Sequence, residues 1–193
     1  MSERAQQVTI LLLLVASAVA FLMAPTAIAP SYSWVRHSIS ESAAQGLVGA
    51  WVARSGFLLF GSAVLWLAAA LRPRWHRRGS VALGTFGAMM LGTAAYSHRP
   101  WLPGVPFDAA EDLLHSATAS IMGVAFATGV VLVGAGRRNA SRLDRTVDAL
   151  ALVASMAIPL GMSQWTAYTG LLQRSMFLIA YIWYGRETIR WRR

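Results

Sequence analysis

Six long stretches of the sequence carry almost no charged side chains, and this feature limits the chain to very few folds. Uncharged stretches cover residues 5–35, 55–71, 79–97, 116–136 and 149–173, and a last apolar stretch covers 175–185. A helix needs about 20 predominantly apolar residues to cross a bilayer. We therefore predict six membrane-spanning helices, at about 8–29, 47–71, 80–97, 115–135, 147–166 and 171–189.

The composition agrees with a membrane protein. Hydrophobic residues make up 56% of the chain and charged residues 13%, whereas about 25% of the residues in soluble domains are charged. The segments between the apolar stretches are too short to bury a core of their own. We expect an all-α, polytopic bundle that forms a single domain over residues 1–193. The chain has no cysteine, which excludes disulfides, thiolate metal sites and a cysteine nucleophile.

The basic residues, all of them arginines, indicate the orientation of the helices. The chain carries 17 basic residues and a net charge of +9, but the arginines fall between apolar stretches, which argues against nucleic-acid binding. In a six-helix arrangement 13 of the 17 lie on one side: Arg4, Arg72, Arg74, Arg77, Arg78, Arg137, Arg138, Arg142, Arg145, Arg186, Arg190, Arg192 and Arg193. The positive-inside rule then places both termini in the cytoplasm.

Residues 1–29 have an alternative interpretation as a cleavable signal peptide. Arg4 supplies a basic start, and Ala27, Ile28 and Ala29 fit the small-residue cleavage pattern. The apolar segment from Val8 is longer than the core of a signal peptide, which has about 7–15 residues. This length favours a first membrane-spanning helix.

Acidic residues and a histidine gather where the fourth predicted helix begins, in the stretch FDAAEDLLHSATAS from residue 107 to 120. Asp108 followed by Glu111 is typical of a helix N-cap with a capping-box-like pair. Asp112 and His115 lie beyond the cap, one turn apart on the same helix face. We expect these two residues to serve a site, as acid/base or metal-binding groups.

The first outer loop contains a similar pattern in the stretch WVRHSISES. Ser38 and Glu41 have the spacing of a capping box. His37 and Glu41 are four residues apart and could instead form an imidazole–carboxylate pair, which would make Glu41 a third catalytic candidate. Both interpretations are open at this stage.

Two arginines fall inside predicted membrane spans. An arginine in the hydrocarbon region costs at least about 2.5 kcal/mol, so Arg54 and Arg174 are expected to face the bundle interior or to reach for the interface. They would form ion pairs between helices or hold a polar or anionic head group in an outward-facing pocket. Glu41 and Asp112 are the carboxylates at a similar depth that could form a closed pair with Arg54. Of the two alternatives we expect the pocket, with Arg54 facing an enclosed cavity shared with Asp112 and His115.

Three histidines lie at the outer ends of the predicted helices, namely His37, His98 and His115. Together with carboxylates they could hold a zinc ion with an open position that activates water. Their spacing matches no recognised metal motif, and the alternative is that they only form hydrogen bonds. The identity of any cofactor stays open.

Three short motifs carry a resemblance to a known family. HSISES before the second helix, DLLH at the start of the fourth and GLLQR at the start of the sixth resemble the uncharacterised prokaryotic DUF-998 membrane family. The resemblance implies a six-helix bundle in the inner membrane of a bacterium and brings no established activity. The matching positions are Ser40, Glu41, Asp112, His115, Gln173 and Arg174.

The chain is also similar, more loosely, to membrane hydrolases of the alkaline ceramidase and adiponectin-receptor type. That similarity implies a zinc ion surrounded by a serine, an aspartate and histidines. The chain lacks the paired C-terminal histidines of those hydrolases, which argues against zinc hydrolysis.

These observations predict a polar pocket on the outer face. Its catalytic candidates are Asp112, His115 and Glu41, and its substrate-binding candidates are Arg54, Arg174, Gln173, His37 and His98. The leading hypothesis is an enzyme that acts on a lipid or isoprenoid-like substrate. The alternatives are a non-catalytic subunit or ligand-binding protein, with a membrane-protein partner or a second copy of the chain, and a small transporter. No internal repeat or broken helix supports transport.

Overall fold

The computed structural model describes residues 1–28, 31–137 and 139–191. These ranges contain seven α-helices and no strand: α1 Glu3–Met23, α2 Ile39–Ser42, α3 Ala50–Ala70, α4 Arg72–Ala95, α5 Ala109–Ala135, α6 Arg142–Gln164 and α7 Thr169–Arg190. A short 3-10 turn extends α1 at Ala24–Ala27, and another precedes α7 at Thr166–Tyr168. The prediction of an all-α fold is confirmed. Ala29, Arg138, Arg192 and Arg193 were used in the sequence analysis and lie outside the described residues.

Four of the helices are long and apolar enough to cross a membrane. They are the segments Glu3–Ala27, Ala50–Ala70, Ala109–Ala135 and Arg142–Gln164. The other two long helices, α4 and α7, are of similar length but more polar. An arginine-rich segment opens α4, and α7 carries charged residues near both of its ends.

The long helices form a closed bundle. Each of α3 to α7 packs against the next along the chain, and α1 closes the bundle by packing against α3 and α7. Glycines permit the closest approach, between α3 and α4: a Cβ atom on Gly61 would lie 2.8 Å from the carbonyl oxygen of Gly87. Any side chain at Gly61 would push these two helices apart.

Aromatic side chains fill the centre of the bundle, and many of them come from α7. Phe60 stacks on Tyr181 with 4.4 Å between ring centroids, and the surrounding rings meet mostly edge to face. The cluster comprises Phe57, Phe60, Phe86, Phe126, Phe177, Tyr181, Trp183 and Tyr184. α7 is therefore an internal element of the bundle despite its polar ends.

The bundle has two distinct ends. We call the end with the connections at residues 31–49, 96–108 and 165–168 the loop end. The opposite end, which we call the terminal end, holds the start of α1 and the end of α7, since the Gln7 side chain donates to the carbonyl oxygen of Thr188 at 2.8 Å. The segment that joins α5 to α6 lies there too.

Candidate functional site

The first two acidic residues of the α5 region bind backbone amides. The Asp108 carboxylate accepts hydrogen bonds from the backbone N–H groups of Ala110 and Glu111, at 2.8 and 3.3 Å, which confirms the predicted N-cap. Glu111 does not return to the cap, so its assignment to a capping-box-like pair is wrong. Its carboxylate accepts from the backbone N–H of Ser97 at 2.7 Å instead. Glu111 thereby joins α5 to the loop before it.

Asp112 and His115 bind the same loop further along. The Asp112 carboxylate accepts from the backbone N–H of Arg99 at 2.8 Å and lies 4.0 Å from the His98 ring. His115 is buried, and its Nδ1 lies 2.8 Å from the carbonyl oxygen of Tyr96. Because that oxygen only accepts, Nδ1 carries the proton. The structure thus brings Asp112, His98 and His115 together, with Asp112 and His115 both bound to the backbone that follows α4.

The turn around α2 follows the capping alternative. The Glu41 carboxylate accepts from the backbone N–H of Ser38 at 2.5 Å, and the Ser38 hydroxyl accepts from the backbone N–H of Glu41 at 3.1 Å. This confirms the capping box. His37 is engaged elsewhere: its Nδ1 accepts from the backbone N–H of Ser33 at 2.9 Å, and its ring stacks on Trp101.

Arg174 fastens the first loop to the start of α7. Its guanidinium donates to the carbonyl oxygens of Trp34, His37 and Gly170, at 2.8, 2.9 and 2.9 Å, and to the Tyr32 hydroxyl at 2.6 Å. Burial raises the pKa of the Tyr32 phenol above its usual range, so the hydroxyl stays protonated at neutral pH. Arg174 is held by four acceptors and needs no carboxylate partner.

Gln173, next to Arg174, holds α2. Its side-chain oxygen accepts from the backbone N–H of Ile39 at 2.6 Å, and its amide nitrogen lies 3.4 Å from the Ser40 hydroxyl. The first contact is short and satisfies an amide at the start of α2. The second is long, so the Gln173 amide retains hydrogen-bonding capacity.

Arg54 binds backbone carbonyl groups at the end of α2. Its guanidinium donates to Ala43 at 3.2 Å and to Ala44 at 3.4 Å. No carboxylate in the described part of the chain forms an ion pair with it, so the closed pair with Glu41 or Asp112 is not observed. The two acids accept backbone N–H groups instead, Glu41 from Ser38 and Asp112 from Arg99.

The cavity beside Arg54 is an open depression of about 550 Å3 at the loop end. Asp108 and Glu111 line it, together with Gln45, but neither Asp112 nor His115 does. Arg54 therefore lies beside Asp108 and Glu111 in an open depression, and not in an enclosed cavity with Asp112 and His115.

Gln45 is the residue at the loop end that the sequence analysis missed. Its buried side chain accepts from the backbone N–H of Asp108 at 2.6 Å and donates to the carbonyl oxygens of Ser97 and Asp108, each at 3.0 Å. Its own backbone N–H donates to the carbonyl oxygen of His98 at 2.9 Å. The only signal for Gln45 in the sequence is that it is the one polar side chain in the apolar stretch AAQGLVG at residues 43–49. Gln45 joins the first two loops of the loop end.

The histidines and acids do not assemble a metal-binding cluster. Within residues 1–28, 31–137 and 139–191, no group of three or more His, Cys, Asp or Glu side chains is placed to hold a metal ion. The rings of His98 and His115 are neighbours, with 5.4 Å between centroids. His37 belongs to a separate aromatic group with Tyr32 and Trp101.

A cavity of about 460 Å3 lies between α3, α4, α5, α6 and α7. Its wall is largely apolar and includes Phe57, Phe86, Met90, Met122, Met176 and Phe177. Ser40 and Gln173 border it as polar groups from the loop end. Gly123 of α5 leaves a gap in the wall, since a Cβ atom there would meet no other atom within 4 Å.

A second polar network, also missed from the sequence, occupies the terminal end. Arg137 donates to the carboxylates of Asp148 and Glu187, each at 2.5 Å. The indole N–H groups of Trp75 and Trp183 donate to Glu187 and Asp148, at 2.8 and 2.9 Å. Burial lowers the pKa of Arg137, but the two carboxylates raise it more, so the guanidinium stays charged. The network joins α4, α6 and α7.

The all-helical bundle and its apolar spans define a helical membrane protein. The chain belongs to the DUF998 family: the model of that family, described as "Protein of unknown function (DUF998)", matches residues 12–185. This confirms the resemblance seen in the sequence. No curated protein and no solved structure matches the chain, so the looser similarity to ceramidase-type hydrolases has no support.

Proposed function

We propose that this protein binds the hydrocarbon chain of a lipid or isoprenoid-like molecule inside its helical bundle. The observation that carries the proposal is the apolar cavity of about 460 Å3. Small-molecule sites usually have about 300–1,000 Å3 and an apolar wall with a few polar groups. Methionines on the wall, such as Met90, Met122 and Met176, adapt to flexible chains because their side chains are unbranched and polarizable.

The polar border of this cavity supports an amphiphilic ligand. A lipid chain that enters from the bilayer exchanges one apolar environment for another, so its transfer contributes little free energy. Selectivity must then come from shape and from polar contacts at one end of the ligand. Ser40 and Gln173 supply such contacts, since their mutual hydrogen bond is long at 3.4 Å. We place the polar end of the ligand against these two side chains.

The bonds of the three catalytic candidates favour binding without catalysis. Glu41 and Asp112 each accept a backbone N–H, and the His115 ring donates to a backbone carbonyl. None of the three lines the apolar cavity. We therefore infer that they position the loops, and we prefer the ligand-binding alternative over an enzyme.

We further propose that all six long helices cross the membrane, with both termini in the cytoplasm. Gln45 in the first loop binds Ser97 and Asp108 in the second, so these two loops belong to the same end of the bundle. If α3 crosses the membrane between them, α4 must cross back. The arginine-rich terminal end then faces the cytoplasm, as the positive-inside rule requires. The corresponding location is the cell membrane, which in a bacterial host is the inner membrane.

Photocrosslinking tests the proposed cavity. The probes are a phosphatidylglycerol and a polyprenyl phosphate, each with a photoactivatable group at the end of its hydrocarbon chain. We expect at least one probe to label peptides of α5 and α7 that line the cavity. Gly123→Phe should reduce this labelling on the order of tenfold, a loss of about 1.4 kcal/mol in binding, because the added ring occupies the gap.

Val131→Phe is the matched control, since it adds the same ring to α5 at an exposed position outside the cavity. Equal labelling of the wild-type protein and both variants would contradict the proposal. Loss of labelling in both variants would contradict it too, because the effect would then not depend on the cavity.

A further inference from the structure

We propose a second lipid site, at the terminal end, which holds the phosphate head group of an anionic phospholipid. A groove of about 740 Å3 opens there between the start of α4, the start of α6 and the last turns of α7. Arg74, Arg186 and Arg190 line it together with Asn139 and Ser141. This site is separate from the apolar cavity, and the proposal does not depend on that cavity.

The groove has an excess of positive charge. Asp144 is the acid that lines it, and both Arg186 and Arg190 form ion pairs with one of its oxygens. The other Asp144 oxygen accepts from the backbone N–H and the hydroxyl of Ser141, each at 2.8 Å. Both carboxylate oxygens of Asp144 are therefore already occupied by donors. Three guanidinium groups against one carboxylate leave two positive charges for an external anion.

The arginines retain unused donors for that anion. Arg74 makes a hydrogen bond to the carbonyl oxygen of Arg190 at 2.7 Å through one nitrogen. Arg186 and Arg190 each bond to Asp144 through one terminal nitrogen, and the second terminal nitrogen of each makes no hydrogen bond within the part of the chain that the structure describes. The forked guanidinium matches the oxygens of a phosphate, which makes arginine well suited to bind this group.

Apolar residues around the groove favour a lipid over a free anion. Leu143, Ile182 and Ile189 line it and expose 62%, 51% and 54% of their surface. In a bilayer these side chains meet acyl chains. A ligand that contacts both the arginines and these apolar side chains must carry a phosphate and a hydrocarbon chain on one molecule. Basic pockets between membrane helices bind the head groups of such lipids.

Native mass spectrometry of the full-length protein in detergent tests the site with three probes: phosphatidylglycerol, phosphatidylcholine and millimolar inorganic phosphate. We expect the wild-type protein to retain phosphatidylglycerol in preference to phosphatidylcholine. Arg74→Gln should reduce the retention of phosphatidylglycerol about fivefold, because it removes one of the three guanidinium groups that line the groove and a lost contact of about 1 kcal/mol corresponds to that factor. The Arg74 side chain is exposed, so its replacement should not unfold the protein.

Arg145→Gln is the matched control, because Arg145 is an exposed arginine of α6 that does not line the groove. It should leave lipid retention unchanged. Three results would overturn the proposal: equal retention of the two lipids, equal losses in the Arg74 and Arg145 variants, or full displacement of phosphatidylglycerol by inorganic phosphate. Thermal unfolding of each variant separates a lost site from a lost fold.

Discussion

Single residues at the loop end act mainly as partners of the backbone. The cap at Asp108 could be predicted from the sequence, because a cap joins residues two or three positions apart. The capping box of Ser38 and Glu41 was one of two open interpretations, and the structure selects it. The role of Gln45 could not be predicted, since it bonds to Asp108, which is 63 positions away. Spacing alone also gave Glu111 the wrong partner, because nothing in the sequence placed the Ser97 amide beside it.

Gly170 offers a sharp test at this scale. A Cβ atom there would lie 2.3 Å from the carbonyl oxygen of His37 and 2.5 Å from that of Trp34. We expect Gly170→Ala to push the first loop off α7 and to lower the melting temperature. A typical loss for overpacking is about 1–3 kcal/mol. The measurement is thermal unfolding in detergent.

Gly185→Ala provides the control, since Gly185 lies in the same helix and a Cβ atom there meets no other atom within 4 Å. In a helix interior, alanine is favoured over glycine by about 0.5–1 kcal/mol. This variant should be as stable as the wild type or more stable. Equal destabilisation by both variants would argue against the close contact at Gly170.

At the scale of helices, hydropathy located all the long elements but not their ends. The predicted fourth span at 115–135 corresponds to α5, which begins at Ala109 directly after the Asp108 cap. The predicted third span at 80–97 corresponds to α4, which begins at Arg72, because an arginine-rich segment can be helical without being apolar. The backbone of His76, with φ at 55°, interrupts that polar start.

Arg137 is predicted to hold the first turns of α6 and the last turns of α7 together at the terminal end. Arg137→Met would leave the carboxylates of Asp148 and Glu187 close together without their cation. Breaking a buried pair in this way costs about 3–5 kcal/mol. We expect a large decrease in thermal stability, measured in detergent at neutral pH.

A triple variant tests the cause of that loss. Arg137→Met combined with Asp148→Asn and Glu187→Gln removes the two charges but keeps oxygens that can accept the indole N–H groups of Trp75 and Trp183. It should recover much of the lost stability. If the triple variant is no more stable than Arg137→Met alone, the unpaired charges are not the reason for the loss.

Across the whole molecule, the polar contacts are concentrated at the two ends and the apolar cavity lies between them. Side-chain bonds to loop backbone fix the loop end, and ion pairs fix the terminal end. The sequence predicted the bundle and the location of polar residues at its ends, because hydropathy reports on both. It did not predict that Arg137, Asp148 and Glu187 form one network, since their contact depends on how α6 packs against α7.

Cysteine labelling decides how many helices cross the membrane, and the chain suits it because it contains no native cysteine. If all six long helices cross, single cysteines at Ser31 and Phe107 should react with a membrane-impermeant maleimide in intact cells, while one at Asn139 should react only after permeabilisation. All three positions are exposed in the structure.

If only the four most apolar helices cross, Ser31 stays outside but Phe107 and Asn139 exchange sides. Ser31 therefore serves as the control for both arrangements. Labelling of Asn139 together with protection of Phe107 in intact cells would rule out the six-helix topology, and it would also conflict with the bonds of Gln45 that join the first two loops.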